Sequence, residues 1–227
     1  ADPALLSAVI EILVLGCRGT SLDVLDALLC CNERSPSPRY RILGLLDDQA
    51  ELWGQRVLGF PVLGPWSSLH QYPQAQLAGA LGSLKNFRRK RSILESLKVP
   101  AERFETVIHP DASISPRAQV GRGCVILQQA VVAVSAQLED QVIVLPQSVI
   151  SHDCKIGWGS VLAGGVTVCG YVEVGEQCYL GAGSVVRERT QIGAGSLIGM
   201  GSLVLQDVAA GSTCWGQPAR VRDYPPS

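Results

Sequence analysis

From Ile108 onward the chain repeats every six residues. Stepping by six from Ile108 through Ile114, Val120 and Ile126 to Val204 meets an aliphatic side chain at all seventeen positions. Four residues after each stands a second class, from Ala112, Ala118 and Cys124 to Ser196 and Ser202, always small or β-branched. An α-helix turns once in about 3.6 residues, so a strict period of six would smear around its surface. Short strands joined by turns can hold the pattern, each hexad giving one face and pointing its aliphatic side chain into a shared interior. Three faces make a coil of 18 residues, and the seventeen hexads run without insertion. Gly121, Gly157, Gly175, Gly181, Gly193 and Gly199 fall at the corners, where tight turning favours glycine. Cys124, Cys154 and Cys178 fall on the small interior positions, which predicts packed, free thiols.

The first hundred residues read differently. "EILVLG" (11–16) and "YRILGLLDD" (40–48) are strand-like, "LDVLDALLCC" (22–31) has helical spacing, and "AQLAGAL" (75–81) is a third apolar run before the helix-compatible "SLKNFRRKRSILESL". Strands alternating with helices imply a small parallel sheet, whose ligands bind beyond the carboxyl ends of the strands. Those ends are Gly16–Ser21, Asp47–Asp48 and Gly82–Ser83. The turn "GCRGTS" has only two glycines and does not match the dinucleotide fingerprint. The basic run "FRRKR" (87–91) reads as a solvated helix face. The reading divides the chain into an α/β Rossmann-like domain over 1–104, a β-helix over 105–206 and a tail over 207–227.

Composition narrows the partners. A net charge of −1 argues against general affinity for nucleic acid. No apolar run reaches the roughly 18 residues of a membrane span. "ALLSAVIEILVLG" (4–16) is broken by Glu11 and has no basic region before it, so no secretory signal is expected. The eight cysteines form no CxxC pair, which argues against structural zinc and suits a reducing cytoplasm. A zinc hydration enzyme on such a repeat would need three histidine ligands, and of His70, His109 and His152 the first lies outside the repeat.

The order of segments carries a resemblance. A small α/β domain with a glycine turn is followed by "LLDD", "GQRVLGFPVLG", "TVIHPDASISPRAQVGRGCVI", "VISHDC", "GAGSVV" and "GQPAR". This series, over roughly residues 11–221, resembles the NeuD/PglD family of bacterial sugar acetyltransferases, which are hexapeptide-repeat proteins. The resemblance implies a left-handed parallel β-helix, acetyl-CoA as acyl donor, a nucleotide-sugar acceptor and a homotrimer with sites between subunits. It also implies roles for residues. His152 matches the catalytic base and Asp153 the acidic residue that raises its basicity. Gly170 matches the backbone N–H at the thioester oxyanion, and Ala182 and Met200 the lining of the CoA arm. Nucleotide-sugar contacts fall on Gly19, Thr20, Ser21, Asp47, Asp48, Gly82 and Ser83. No residue is assigned to a metal.

Spacing supports part of this: Gly170 stands 18 residues after His152, one coil on at the same corner, whereas Ala182 and Met200 share a different corner. One compact site using both corners implies neighbouring subunits. The outer residues Val125, Val131, Ile143, Val149 and Val161 are expected to lie between subunits too. The chain also departs from the family. Its glycine turn reads Gly19-Thr20-Ser21 where "GHG" is usual. Val161 stands where many members carry a second histidine, and Leu145-Pro146-Gln147-Ser148 replaces an asparagine-containing run. These departures keep open an alternative: a catalytically silent trimer that binds a nucleotide sugar in a glycan pathway.

Overall fold

The computed structural model describes residues 9–222, so the outer ends of the first and third segments (1–8 and 223–227), with the start of the apolar run 4–16, lie outside it. The first part is a five-stranded sheet. Strand β1 (Ile10–Leu15) is an interior strand, helix α1 (Thr20–Glu33) follows, and β2 (Tyr40–Leu46), the middle strand, pairs parallel to β1. A hairpin of β3 (Arg56–Val57) and β4 (Phe60–Gly64) extends that side, and β5 (Gln76–Gly79) pairs parallel on the other side of β1. The sequence reading left 56–64 unassigned because Pro61 masks the strand pattern. Alternation along β1 divides two cores. Ile12 and Val14 pack with Val24, Leu25 and Leu28 of α1, while Leu13 and Leu15 pack with Leu94 of helix α2 (Lys90–Ser96). A strand covered on both faces reads as a continuous apolar run, as β1 does.

From Val107 the chain is a left-handed parallel β-helix with two-residue strands. Each residue pairs with the one 18 positions on, as in Val131 with Val149 and Val149 with Thr167. The first face contains Val125–Ile126, Ile143–Val144 and Val161–Leu162; the second Val131–Val132, Val149–Ile150 and Thr167–Val168; the third Gln137–Leu138, Lys155–Ile156 and Glu173–Val174. The second member of each pair points inward, and from Ile126 to Val204 none is more than 3% exposed. Several of the small residues behind them donate hydrogen bonds to carbonyls of the coil above, while Ser184 Oγ and Thr190 Oγ1 find no partner among the described residues. Ser148 Oγ reaches Ala163 O at 2.8 Å, and Cys154 Sγ reaches Cys169 O at 3.0 Å. Cys124 and Cys178 do the same, so these three thiols are core donors. After Val204 the stack continues: Thr213–Gly216 pairs with Leu197–Ile198 on the first face. Among the described residues no helix is long and apolar enough to cross a membrane.

The corner glycines have a different reason from the one expected. Gly157 and Gly175 are not in the left-handed region; a Cβ on Gly157 would lie 2.6 Å from Glu176 N of the next coil. They are needed for close approach. Positive φ occurs two residues later in the hexad, at Gly123, Gln129, Ser135, Gln147, Asp153, Gly159, Tyr171 and Arg189 among others.

Two expectations about covering surfaces are corrected. Val125, Ile143 and Val161, expected between subunits, are at most 2% exposed because the chain's own α/β domain packs on the first face. Val131 and Val149 lie on the second face, which stays half-buried. The run Phe87–Arg91, expected to be a solvated face, is a strap along one corner of the β-helix. Phe87 packs against Tyr179, Arg88 Nε donates to Gly195 O at 2.7 Å, and Arg91 pairs with Glu176 and lies 4.1 Å over the Trp158 ring. Lys90 is 1% exposed and its ammonium donates to Gln141 O. Gln141, Gly159, Gln177 and Gly195 form a column at the 18-residue step, and the strap follows it.

Gly157→Ala forces a methyl into the backbone of the next coil and is expected to cost about 1–3 kcal/mol. Ser135→Gly relieves a positive φ of 60° while adding chain entropy to the unfolded state, and is expected to change stability by less than about 1 kcal/mol. Urea unfolding of the two variants checks the contrast. Burial lowers the Lys90 pKa to about 7. Above that value the unfolded chain binds a proton the folded one lacks, so this group makes stability rise with pH from about 7. Buried Cys17 and Cys124, raised to about 11, act oppositely, but only as unfolded thiols begin to ionise near pH 9. Unfolding midpoints between pH 7 and 8.5 should climb in the wild type and flatten in Lys90→Met.

Candidate active site

His152 and Asp153 form the turn between Val149–Ile150 on the second face and Lys155–Ile156 on the third. Asp153 holds φ at 57°, a conformation that a short polar side chain tolerates better than most. This turns its carboxylate back on its neighbour: Oδ2 lies 2.8 Å from His152 Nδ1. Accepting from Nδ1–H fixes the tautomer and leaves the Nε2 lone pair outward. The imidazole is half exposed, so it can meet a ligand. It lies over Gly170, where a Cβ would sit 2.7 Å from Nε2. Any side chain at 170 would displace the ring. Within the described residues no hydrogen bond takes the Gly170 amide proton. The structure therefore brings together His152 and Gly170, which the 18-residue step had joined, with Asp153 beside them.

Two further side chains complete this corner. Tyr171 and Arg189 continue the column above Asp153, each with φ near 61°. The Tyr171 ring meets His152 edge-on, with centroids 5.1 Å apart, and Arg189 Cζ lies 4.4 Å from the Tyr171 centroid. The sequence reading passed over both, although the step from Asp153 that found Gly170 from His152 leads directly to them.

Ala182 and Met200 meet at a different corner, with no contribution from His152. They line a groove of about 410 Å³ with Leu84, Tyr179, Leu197 and Trp215. Met200 is 79% exposed, and the groove's walls are largely apolar.

The α/β domain contributes a third region, a crevice of about 490 Å³. Gly19, Thr20 and Ser21 at the start of α1 line it opposite Gly82 and Ser83, with Arg18 at its rim. Gly19 has φ 56° and ψ −135°, with no atom near its absent Cβ, so backbone conformation is what demands glycine there. Ser21 Oγ is engaged with Leu15 O at 2.9 Å, which secures the turn. α1 has no side-chain cap, and the Ser21 and Leu22 amides donate to Arg18 O and Gly19 O of the turn before it. Val161 forms part of the crevice floor, where Gly82 approaches it too closely for a Cβ.

Asp47 and Asp48 do not line this crevice. Asp47 is buried, and its carboxylate accepts from Cys17 N at 2.9 Å and Gln49 N at 3.0 Å, tying β1 to the end of β2. Asp48 accepts from Trp66 N at 2.9 Å and faces His70 on another surface. Among the described residues one cluster has metal-ligand types, Asp26, Cys30 and His109. His109 Nδ1 accepts the Asp111 N–H at 3.0 Å, so its neutral ring carries the proton on Nε2 and offers a cation no free lone pair.

Comparison with known proteins agrees with this fold. The family model for the bacterial transferase hexapeptide, six repeats, matches residues 135–170. No curated protein sequence matches. The acetyltransferase domain of PglB from Neisseria gonorrhoeae is 30% identical, with a TM-score of 0.83; the alignment covers 93% of this chain and 99% of that one. PerB from Caulobacter crescentus, solved with CoA and GDP-perosamine, is 24% identical with a TM-score of 0.80 over 95% of this chain and 99% of its own. WeeI from Acinetobacter baumannii shares the fold at 20% identity and a TM-score of 0.60, covering 94% of this chain and 100% of its own. From the shared repeat, the α/β domain in front of it and the extent of the PglB match, the chain belongs to the hexapeptide-repeat sugar acetyltransferases of the NeuD/PglD type.

Proposed function

We propose that the protein transfers acetyl from acetyl-CoA to the amine of a nucleotide-linked amino sugar, with His152 as general base. The observation that carries the reading is the imidazole held by Asp153 through Nδ1 and lying over Gly170. Similar proteins solved with acetyl-CoA, or with CoA and GDP-perosamine, support the choice of donor and acceptor class.

Acetyl-CoA supplies an acetyl group activated as a thioester. The chain's residues supply the proton handling and charge stabilisation. The acceptor nitrogen attacks the thioester carbonyl, and His152 Nε2 takes the proton that nitrogen must lose. Asp153 stabilises the resulting imidazolium. The Gly170 N–H, unused among the described residues, donates to the carbonyl oxygen as it becomes an oxyanion, an interaction typically worth about 3 kcal/mol. As the tetrahedral centre collapses, the C–S bond breaks and the imidazolium returns its proton to the CoA thiolate. The product is the amide and free CoA.

The groove of Ala182 and Met200 fits an apolar pantetheine arm. The crevice at the start of α1 fits the nucleoside end of the acceptor. The base is absent from the groove of its own chain. A homotrimer joined through the second face, where Val131, Val149, Val185 and Leu203 form a half-buried stripe, would set the His152 corner of one subunit beside the groove of the next.

His152→Ala is expected to keep its assembly state and CoA binding while kcat falls by about 10²–10⁴. Asp153→Asn should lose less. The check is thiol release from acetyl-CoA against a panel of UDP- and GDP-linked amino sugars; normal turnover in His152→Ala would remove this mechanism. Val149→Glu places a charge in the apolar stripe and should convert a trimer to monomers in light scattering without altering far-UV circular dichroism. A wild-type monomer at micromolar concentration would contradict the shared site.

A further inference from the structure

Tyr171 and Arg189 stand out among the left-handed corner residues. The other non-glycine residues at these hexad corners are Gln129, Ser135, Gln141, Gln147, Asp153 and Gln177. A bulky ring and a long cation in that conformation carry local strain, and such strain persists where the surrounding structure holds it and tends to gather at functional sites. Here it is held by the backbone bond that these corners make in common. The Arg189 N–H donates to Gly170 O at 3.0 Å, and the Tyr171 N–H donates to His152 O at 3.1 Å. The stack therefore rests on the same two backbone positions that frame the candidate base. Among the described residues Arg189 has no carboxylate partner, although Glu188 is its neighbour. Its guanidinium lies on the face of Tyr171, and the same ring meets the imidazole edge-on. The result is an exposed cation one aromatic ring away from His152, with its side-chain donors uncommitted among the described residues.

We infer that Arg189, held in place by Tyr171, binds an anionic group of the acceptor while the acceptor's amine faces His152. Tyr171 acts as a positioning residue for both the guanidinium and the imidazole. This rests on the reading of His152 as the base and adds the chemistry that selects the acceptor. The anion is a diphosphate linking sugar to nucleotide or a carboxylate on the sugar itself. Both are planar or multidentate oxygen ligands that suit a guanidinium fork. A diphosphate on the anomeric carbon lies across the ring from an amine on the far side, which matches a cation set beside the base and apart from it.

The first test needs no turnover. The wild-type protein is titrated with GDP, inorganic pyrophosphate, acetate and CoA while the Arg189 Nε–H resonance, assigned by its loss in Arg189→Gln, is followed. Saturable movement with GDP and pyrophosphate supports the diphosphate, and movement with acetate alone supports the carboxylate. No movement with any of these ligands overturns the proposal. Movement with CoA alone, accompanied by a raised KM for acetyl-CoA in Arg189→Gln, assigns the anion to the donor and also overturns it.

The second test is kinetic. In Arg189→Gln the preference in kcat/KM for a nucleotide-linked amino sugar over the same free amino sugar, or for a carboxylated one over its neutral counterpart, should fall about tenfold. Arg189→Lys should recover part of it. Tyr171→Asn, which tolerates the backbone conformation, should lower the same preference and shift the acid limb of the kcat/KM pH profile. Equal losses on anionic and neutral acceptors, or dissociation of the assembly in Arg189→Gln, would make the stack a structural or interface element. Persistent Arg189 binding without acetyl transfer to any acceptor would instead overturn the proposed reaction.

Discussion

Everything in the second part of the molecule depends on coils that stack in register at a step of 18 residues. Two-residue strands supply little pairing each. They hold because each inward aliphatic packs on the one above, burying apolar surface continuously, and because small interior hydroxyls and thiols satisfy carbonyls of the next coil. The same stacking makes corners into columns. A residue there must fit the residues one coil above and below. Gly157 has no side chain because the backbone above it leaves no room, and Gly170 has none because the His152 ring occupies that room. One geometric rule thus governs a packing glycine and a candidate catalytic one.

The α/β domain is bound to this stack by burial and by directed contacts. Val125, Ile143 and Val161 share a core with α1, and the Phe87–Arg91 strap runs along the opposite edge of the domain junction. Lys90 shows what that docking costs. Its ammonium loses water and gains one carbonyl, and burial lowers its pKa. Such a contact specifies one docking geometry, since a shifted strap would leave the charge without an acceptor.

Three regions carry ligand-binding potential; the crevice and the groove adjoin through Leu84 and Tyr179, while His152 lines neither. The crevice sits beyond the carboxyl ends of β1 and β5, the groove follows the first face, and His152 follows the second. The departures from the family pattern become clearer in this arrangement. Val161 forms crevice floor, so the residue at this position shapes the crevice. Leu145 lines the same crevice, so the altered run before His152 reaches it as well.

The repeat was legible because a period of six has one structural solution, and its phase assigns every inward side chain from Ile108 to Val204. That phase also joined His152 to Gly170 and separated them from Ala182 and Met200. Strand β1 and helix α1 were legible from apolar runs and spacing. Other features depended on three-dimensional proximity. Whether Phe87–Arg91 meets water or the β-helix cannot be read from its charges, because the answer lies with Gln141, Gly159, Gln177 and Gly195 far along the chain. Asp47 looked like a ligand contact at a strand end, and the fold instead turned its carboxylate onto the Cys17 amide. Val125, Ile143 and Val161 looked like an interface between subunits until the α/β domain was found packed over them. The sequence by itself determined the coil, its interior and the corner on which each residue falls, since these follow from local periodicity. The tertiary structure decided which faces are covered, which carboxylates are already engaged and which side chains meet across a corner, since these depend on contacts between segments with no shared period.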